Sequence, residues 1–224
     1  MQELNMLGKR KPTAVKTRLL MRLNGSTVDE ANNPIVNVVG VSYLDNQKYG
    51  RKGAAFTRGG YVAVTKTPKL TFTSEFTVEF IATIPANLAT NYEQMVFSNN
   101  AGWFFDFLNG FAAYNSGKPC WFVSFSTAND KSKSLAIDAP WLDGLPHHFA
   151  VCWKNGIYTV FLDGQPKGTV TSSVALVGDQ LIVGNYYGSA AYGFTSNSLQ
   201  EVRVSDFARY TAAFTPPVAP FVID

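Results

Sequence analysis

The stretch PHHFAVCWKNGIYTVFLDGQPKGTV (146–170) decides the fold. It holds three runs rich in aromatic and β-branched residues, parted by Asn155-Gly156 and Asp163-Gly164. Those dipeptides supply the positive backbone φ that two-residue hairpin turns need. The reading is three consecutive antiparallel strands. Further on, SLQEVRVSDFARYTAAFTPP (198–217) reads as one more strand, a single helical turn and a proline stop. Ser205 or Asp206 is expected to cap that turn. Pro216 and Pro217 would end it, and Phe207, Tyr210 and Phe214 would press it as a cap against the open end of the fold. A fully buried Phe214 would make Phe214→Ala cost about 3–5 kcal/mol.

Outward from this core the same grammar repeats. TRLLMRLNG (17–25), FTVEFIATI (76–84), QMVFS (94–98), GWFFDFL (102–108), CWFVSFS (120–126) and KSLAID (133–138) are short and fenced by Asn, Gly, Ser or Pro. KYGRKGAAFTRGGYVAV (48–64) reads as short β-rich pieces bracketed by glycine turns, and the Asn- and Pro-bearing segment before it as a loop. No segment sustains a helical period. Short strands at spacings of about 8–12 residues mean an all-β sandwich or barrel. At 224 residues the chain can bury roughly 70–75% of its unfolded surface, enough for one such domain. The expected organisation is an extended basic arm over 1–16 and a single domain over 17–224.

The order of these pieces resembles the laminin-G-like, concanavalin-A-like jelly roll. FTVEF (76–80) after PKLTF (68–72), HHFAVCW (147–153), YTVFLDGQP (158–166), LIVGN (181–185) and LQEVRVSDFARYTAAFTPP (199–217) are similar to successive strands of that family. Trp141 stands five residues before Pro146 rather than directly ahead of the histidines. The closing segment is similar to the version found in tailed-bacteriophage virion proteins. The resemblance implies a two-sheet antiparallel sandwich and a virion protein assembled in host cytoplasm. It also implies capsid or tail partners and a homo-oligomer such as a trimer.

Catalytic patterns are missing from the sequence. Related sandwich glycosidases carry paired carboxylates on one strand, whereas Glu79 stands alone in VEF and Asp106 in FFDFL has no mate two residues away. His147 and His148 are adjacent on a strand and so face opposite ways, which excludes a shared metal. There is no nucleophile elbow, no C-x-x-C pair and no phosphate-binding glycine loop. The expectation is a non-enzymatic protein without a cofactor. Calcium stays open, since laminin-G-like modules hold it through rim aspartates and Asp29, Asp130 and Asp179 fall in loops. Cys120 and Cys152 read as reduced, core or near-core thiols, with a disulfide between them the less favoured alternative.

Two features point to partners. Residues 1–22 hold Lys9, Arg10, Lys11, Lys16, Arg18 and Arg22 against Glu3 alone, and residues 46–74 hold six cations and no acid. Such an arm docks on acidic protein or nucleic acid, or is a solvated tail. Nucleic acid is the poorer partner, because the aromatic residues do not interleave with the cations. The second feature is the aromatic loop after 184. Asn185, Tyr186, Tyr187, Tyr192 and Asn197 are the candidate contacts for a host-surface glycan, with Phe194 a further aromatic of that stretch. The alternative is a hairpin whose rings pack on the sheet edge. The docking set is Lys9, Arg10, Lys11, Lys16 and Arg18. No run approaches the roughly 18 apolar residues of a membrane span, and the opening MQELNMLGKRKPTAVK lacks the apolar core of a secretory signal.

Overall fold

The two hairpin dipeptides turn the chain as their chemistry requires. Asn155 and Gly156 have φ of 52° and 77°, and Asp163 and Gly164 have 48° and 73°. The structure, a computed structural model, describes residues 16–89, 92–99, 103–125, 131–173, 180–186, 194 and 198–224.

Among these residues the chain forms thirteen strands. In order they are β1 (Thr17–Met21), β2 (Ile35–Leu44), β3 (Gly53–Val64), β4 (Glu75–Thr83), β5 (Tyr92–Asn99), β6 (Trp103–Asn109) and β7 (Cys120–Phe125). Then follow β8 (Ser134–Asp138), β9 (Pro146–Lys154), β10 (Ile157–Leu162), β11 (Gln165–Thr171), β12 (Leu181–Val183) and β13 (Ser198–Ser205). One four-residue helix, α1 (Ala112–Asn115), interrupts them.

The hydrogen-bonded order is β11-β10-β9-β4-β13-β3-β12-β5-β6-β7-β8, with β1 added to β13 and β2 to β3. Every pairing is antiparallel. β3 joins the layers: Ala54 pairs with Leu199 of β13, while Val62–Val64 pair with β12. The end strands β8 and β11 meet without a ladder, where Leu135 lies against Gly168. The result is a nearly closed two-layer antiparallel sandwich, as the turn spacing requires.

Alternation fills its interior. Phe76, Val78 and Phe80 of β4 and Phe149, Val151 and Trp153 of β9 meet Phe105, Phe107, Trp121 and Phe125 of the opposite layer. Phe80 meets Trp121 edge-on at 6.2 Å, Phe107 meets Phe149 at 5.1 Å, and Phe125 stacks on Tyr158 at 3.8 Å. Each buried ring contributes about 1.5–3 kcal/mol of transfer free energy. Cys120 and Cys152 are buried free thiols.

Two expectations are corrected. The segment read as a loop before residue 48 contains β2, ten residues paired along β3. The segment after Ser205 forms no helical turn. The chain after Ser205 runs as a strap over the outer face of the sheet and not over the open end: Ala208, Tyr210 and Phe214 lie on β9 and β10, and Phe221 to Asp224 cross to β13 and β1. The turn's own donors are taken by the sheet: Ala208 N–H donates to Glu75 (3.4 Å), Arg209 N–H to Thr77 Oγ1 (2.9 Å) and Phe214 N–H to the Gly164 carbonyl (2.9 Å). Ser205 Oγ accepts Arg209 Nε at 2.6 Å instead of capping a helix.

Candidate binding surface

The residues of β4 that point away from the core, Thr77, Glu79 and Ile81, lie beneath the strap. Glu79 sits opposite Ala150 of β9 and Arg203 of β13 and is completely buried. Its Oε1 accepts Arg203 Nε and Nη2 at 2.9 and 2.7 Å. Its Oε2 meets His148 Nε2 at 2.9 Å and accepts the Tyr210 hydroxyl at 2.8 Å. Burial alone would raise the Glu79 carboxyl; the His148 hydrogen bond, the Arg203 charge and Tyr210 outweigh it and hold it at about 2. The Phe214 and Phe221 rings stand edge-on to His148 at 5.6 and 5.7 Å. This carboxylate is saturated with donors and sealed from any substrate, so it acts as a structural ion cluster.

A second buried carboxylate, Glu201, sits in the β-bulge of β13 with φ of 53°. Arg22 Nη1 reaches it at 3.0 Å and Arg51 Nη1 at 3.7 Å, and the Phe221 N–H donates to it at 2.9 Å. Burial raises its carboxyl above the ordinary range despite these cations. On the neighbouring turn, His147 lies between Asp163 (2.5 Å) and Asp143 (3.0 Å), and the Asp163 hydrogen bond raises its imidazole. His147 and His148 thus serve separate clusters, as strand alternation demands.

Asp29 does not present a calcium site. Its carboxylate accepts the N–H groups of Leu20, Ala31 and Asn33 and the Asn33 amide, at 2.6–3.0 Å. Asp130 and Asp179 lie outside the described residues, among which no cluster of three His, Cys, Asp or Glu is placed to hold a metal.

The loop rim is built on a fixed base. Gly184 has φ of 91°, and a Cβ there would stand 2.6 Å from the Phe56 ring, so only glycine fits. Its N–H donates to the Val96 carbonyl at 2.8 Å, and its carbonyl accepts the Phe194 N–H at 3.0 Å. The chain therefore leaves at residue 184 and returns at 194 to the same point. Phe194 is core, 6.0 Å from Phe107. Asn185 is also completely buried. Its carbonyl accepts Ser98 Oγ at 2.8 Å and its side-chain oxygen accepts the Tyr186 N–H at 2.5 Å. It holds the loop root and presents no amide to a ligand, which corrects its place among the candidate contacts. Tyr186 is half-buried beside it. Tyr187, Tyr192 and Asn197 lie outside the described residues.

Of the docking set, Lys9, Arg10 and Lys11 lie outside the described residues. Arg18 is engaged within the domain: its guanidinium binds Asp206, with Nε at 2.8 Å. Lys16 is exposed and its ammonium stands 4.7 Å over the Phe207 ring. The N–H groups of Lys16 and Thr17 both donate to the Asp224 carbonyl, at 2.5 and 3.0 Å. A cleft of about 330 Å³ opens at this root, with Arg18, Glu30, Asn32 and Lys69 among its walls.

A family model described as Laminin_G_3, concanavalin A-like lectin/glucanases superfamily, matches residues 56–213. The chain belongs to that family. This Laminin_G_3 domain is similar in fold to the binding domain of Paraclostridial Mosquitocidal Protein 1, with a TM-score of 0.63 at 13% identity over 87% of this chain and 50% of that one. Domain 4 of AbnA, an extracellular GH43 arabinanase from Geobacillus stearothermophilus solved with arabinotriose, gives a TM-score of 0.60 at 16% identity, covering 87% of this chain and 94% of that one. The receptor binding domain of a botulinum neurotoxin mosaic serotype C/D gives a TM-score of 0.62 at 11% identity over 87% and 48%. The chain spans about half the length of the toxin binding domains it matches. No curated protein matches it.

Proposed function

We propose that this Laminin_G_3 domain is a non-enzymatic lectin-like module that recognises a host-surface glycan through the loop rim rooted at Gly184 and Phe194. The observation that carries this reading is the closure of the outer face of β4, where Glu79 is saturated and roofed by the strap, beside an aromatic-rich loop whose root at Gly184 and Phe194 is fixed. Tyr186, Tyr187, Tyr192 and Asn197 are its contacts, since aromatic rings stack on sugar faces and amides bond hydroxyls. The named partner of the arabinanase domain, an arabinotriose, is a saccharide of this class. Titration of the full chain against host polysaccharides, with and without calcium, tests it. Saturable binding that Tyr187→Ala and Tyr192→Ala weaken at least tenfold supports the reading; a flat response across the series overturns it.

A second, compatible reading is that the module is carried on a bacteriophage virion, docked to capsid or tail proteins by its basic arm. What favours it is the clamped root: the backbone at Lys16 and Thr17 is tied to Asp224, so the arm starts from a fixed point. Co-sedimentation with particles stripped of the native protein tests this. A form lacking residues 1–15 is expected to stay in the supernatant while the full chain pellets; equal pelleting of both removes the arm from the account.

A further inference from the structure

The cleft of about 330 Å³ at the root of the arm is assembled from separate pieces of the fold. Its volume reaches the roughly 300 Å³ at which small-ligand sites begin. Arg18 comes from β1, Glu30, Ala31 and Asn32 from the loop after it, Lys69 from the turn before β4, and Ile223 from the end of the strap. Each piece is held from behind. The Asp29 carboxylate accepts the Ala31 and Asn33 N–H groups at 3.0 and 2.9 Å, which fixes Asn32 between them with φ of 61°. Thr67 Oγ1 accepts the Lys69 N–H at 3.3 Å, and the next residue, Leu70, is buried in the core. Ile223 precedes Asp224, whose carbonyl accepts the Lys16 and Thr17 amides. Walls fixed in this way need no ordering by a ligand.

The charges of the cleft do not cancel. Glu30 is tied to Arg22, which reaches its two oxygens at 2.6 and 2.9 Å. Asp206 and Asp224 are matched by Arg18 and Arg209. Among the described residues no carboxylate lies within ion-pair distance of Lys69, and neither Arg18 Nη1 nor the Asn32 side chain has a hydrogen-bond partner. The cleft therefore offers one unmatched ammonium, spare guanidinium and amide donors, and an apolar wall of Ala31 and the 39% exposed Ile223. A carboxylate carried on a hydroxylated ring with an apolar face uses all of these. A bare inorganic anion would leave the Asn32 amide and the Ile223 wall idle.

We propose that this cleft binds a uronic acid residue of an acidic polysaccharide. The sugar carboxylate pairs with Lys69 and Arg18 Nη1, its hydroxyls bond the Asn32 amide, and the ring lies against Ile223. The inference rests on the lectin-like reading above and adds a site that shares no residue with the Gly184 rim.

Calorimetric titration of the full chain with trimers of galacturonate, glucuronate and mannuronate tests it, with their methyl esters and inorganic phosphate as controls. At least one uronate is expected to bind at least tenfold more tightly than its ester and than phosphate, and more weakly as salt is raised. K69E, at an exposed position, should weaken that binding at least tenfold with an unchanged thermal melt. N32A should weaken it less, and Y187A and Y192A should leave it unchanged. No uronate binding, ester or phosphate binding as tight as the acid, or indifference to both K69E and N32A overturns the proposal. Uronate binding lost in Y187A and Y192A but kept in K69E also overturns it, while leaving the rim reading in place.

Discussion

Glu79 and Glu201 lie on paired strands, β4 and β13, and both are completely buried, yet their carboxyls move in opposite directions. Glu79 has direct donors on both oxygens from Arg203, His148 and Tyr210. Glu201 has one close guanidinium, one backbone N–H, and a second guanidinium only at 3.7 Å. The desolvation cost acts on both, and the count of short donors decides which carboxylate is held in its charged form. A buried acid in this fold can thus be a rivet or a soft point according to how many donors reach it.

The largest effect should come from Glu79→Gln. Removing the charge leaves Arg203 buried without its counter-ion, at a cost of about 3–5 kcal/mol in denaturant unfolding. The pH dependence sharpens the case. The Glu79 carboxyl is lower folded than unfolded, so its contribution is complete above the ordinary carboxylate range and disappears as pH falls towards about 2. The variant should lack that acid limb. A variant that keeps the limb would shift the role to Asp224, also held at about 2 by Arg209.

Phe214→Ala comes next. The ring is half-buried, stacked on Tyr210 and packed against Phe161 at 5.5 Å, so truncation should cost about 1–3 kcal/mol. That is less than full burial would give. Limited proteolysis should show cleavage after residue 205 before the rest of the domain opens; a melt that falls without earlier strap cleavage would mean that strap and sheet unfold as one.

Glu201→Gln should be the mildest, leaving stability within about 1 kcal/mol of the parent at neutral pH, because folding disfavours the charge it removes and Arg22 retains Glu30 at 2.6 Å. Its sign with pH is the reverse of Glu79's. A carboxyl raised by folding contributes stability below its unfolded value and loses it as pH rises through the folded one. Thermal melts of the two variants from acid to neutral pH should diverge in slope; parallel slopes would erase the contrast.

What the sequence revealed was local chemistry. Asn155-Gly156 and Asp163-Gly164 announce their hairpins because the required φ is a property of those residues themselves. The inward Phe76, Val78 and Phe80 are legible from alternation alone. The strap was not, because its N–H groups are satisfied by Glu75, Thr77 and Gly164, far away in sequence. β2 escaped because its valines lack alternation with polar residues and because Asn33, Pro34 and Gly40, with φ of 58°, read as loop punctuation. The charge asymmetry also reads differently once folded. Arg18, Arg22 and Arg51 from the basic stretches are met by Asp206, Glu30 and Glu201, so part of the apparent patch is internal pairing. Asn185 was legible as a loop residue, but its role beneath Tyr186 depends on Ser98, a partner 87 positions away.

The amides of Lys16 and Thr17 on the carbonyl of Asp224 have an engineering consequence. Residues 16 and 224 enter and leave the fold side by side, so a few linking residues would close the backbone into a ring. The same proximity lets the domain be spliced into a surface turn of another protein without stretching its host.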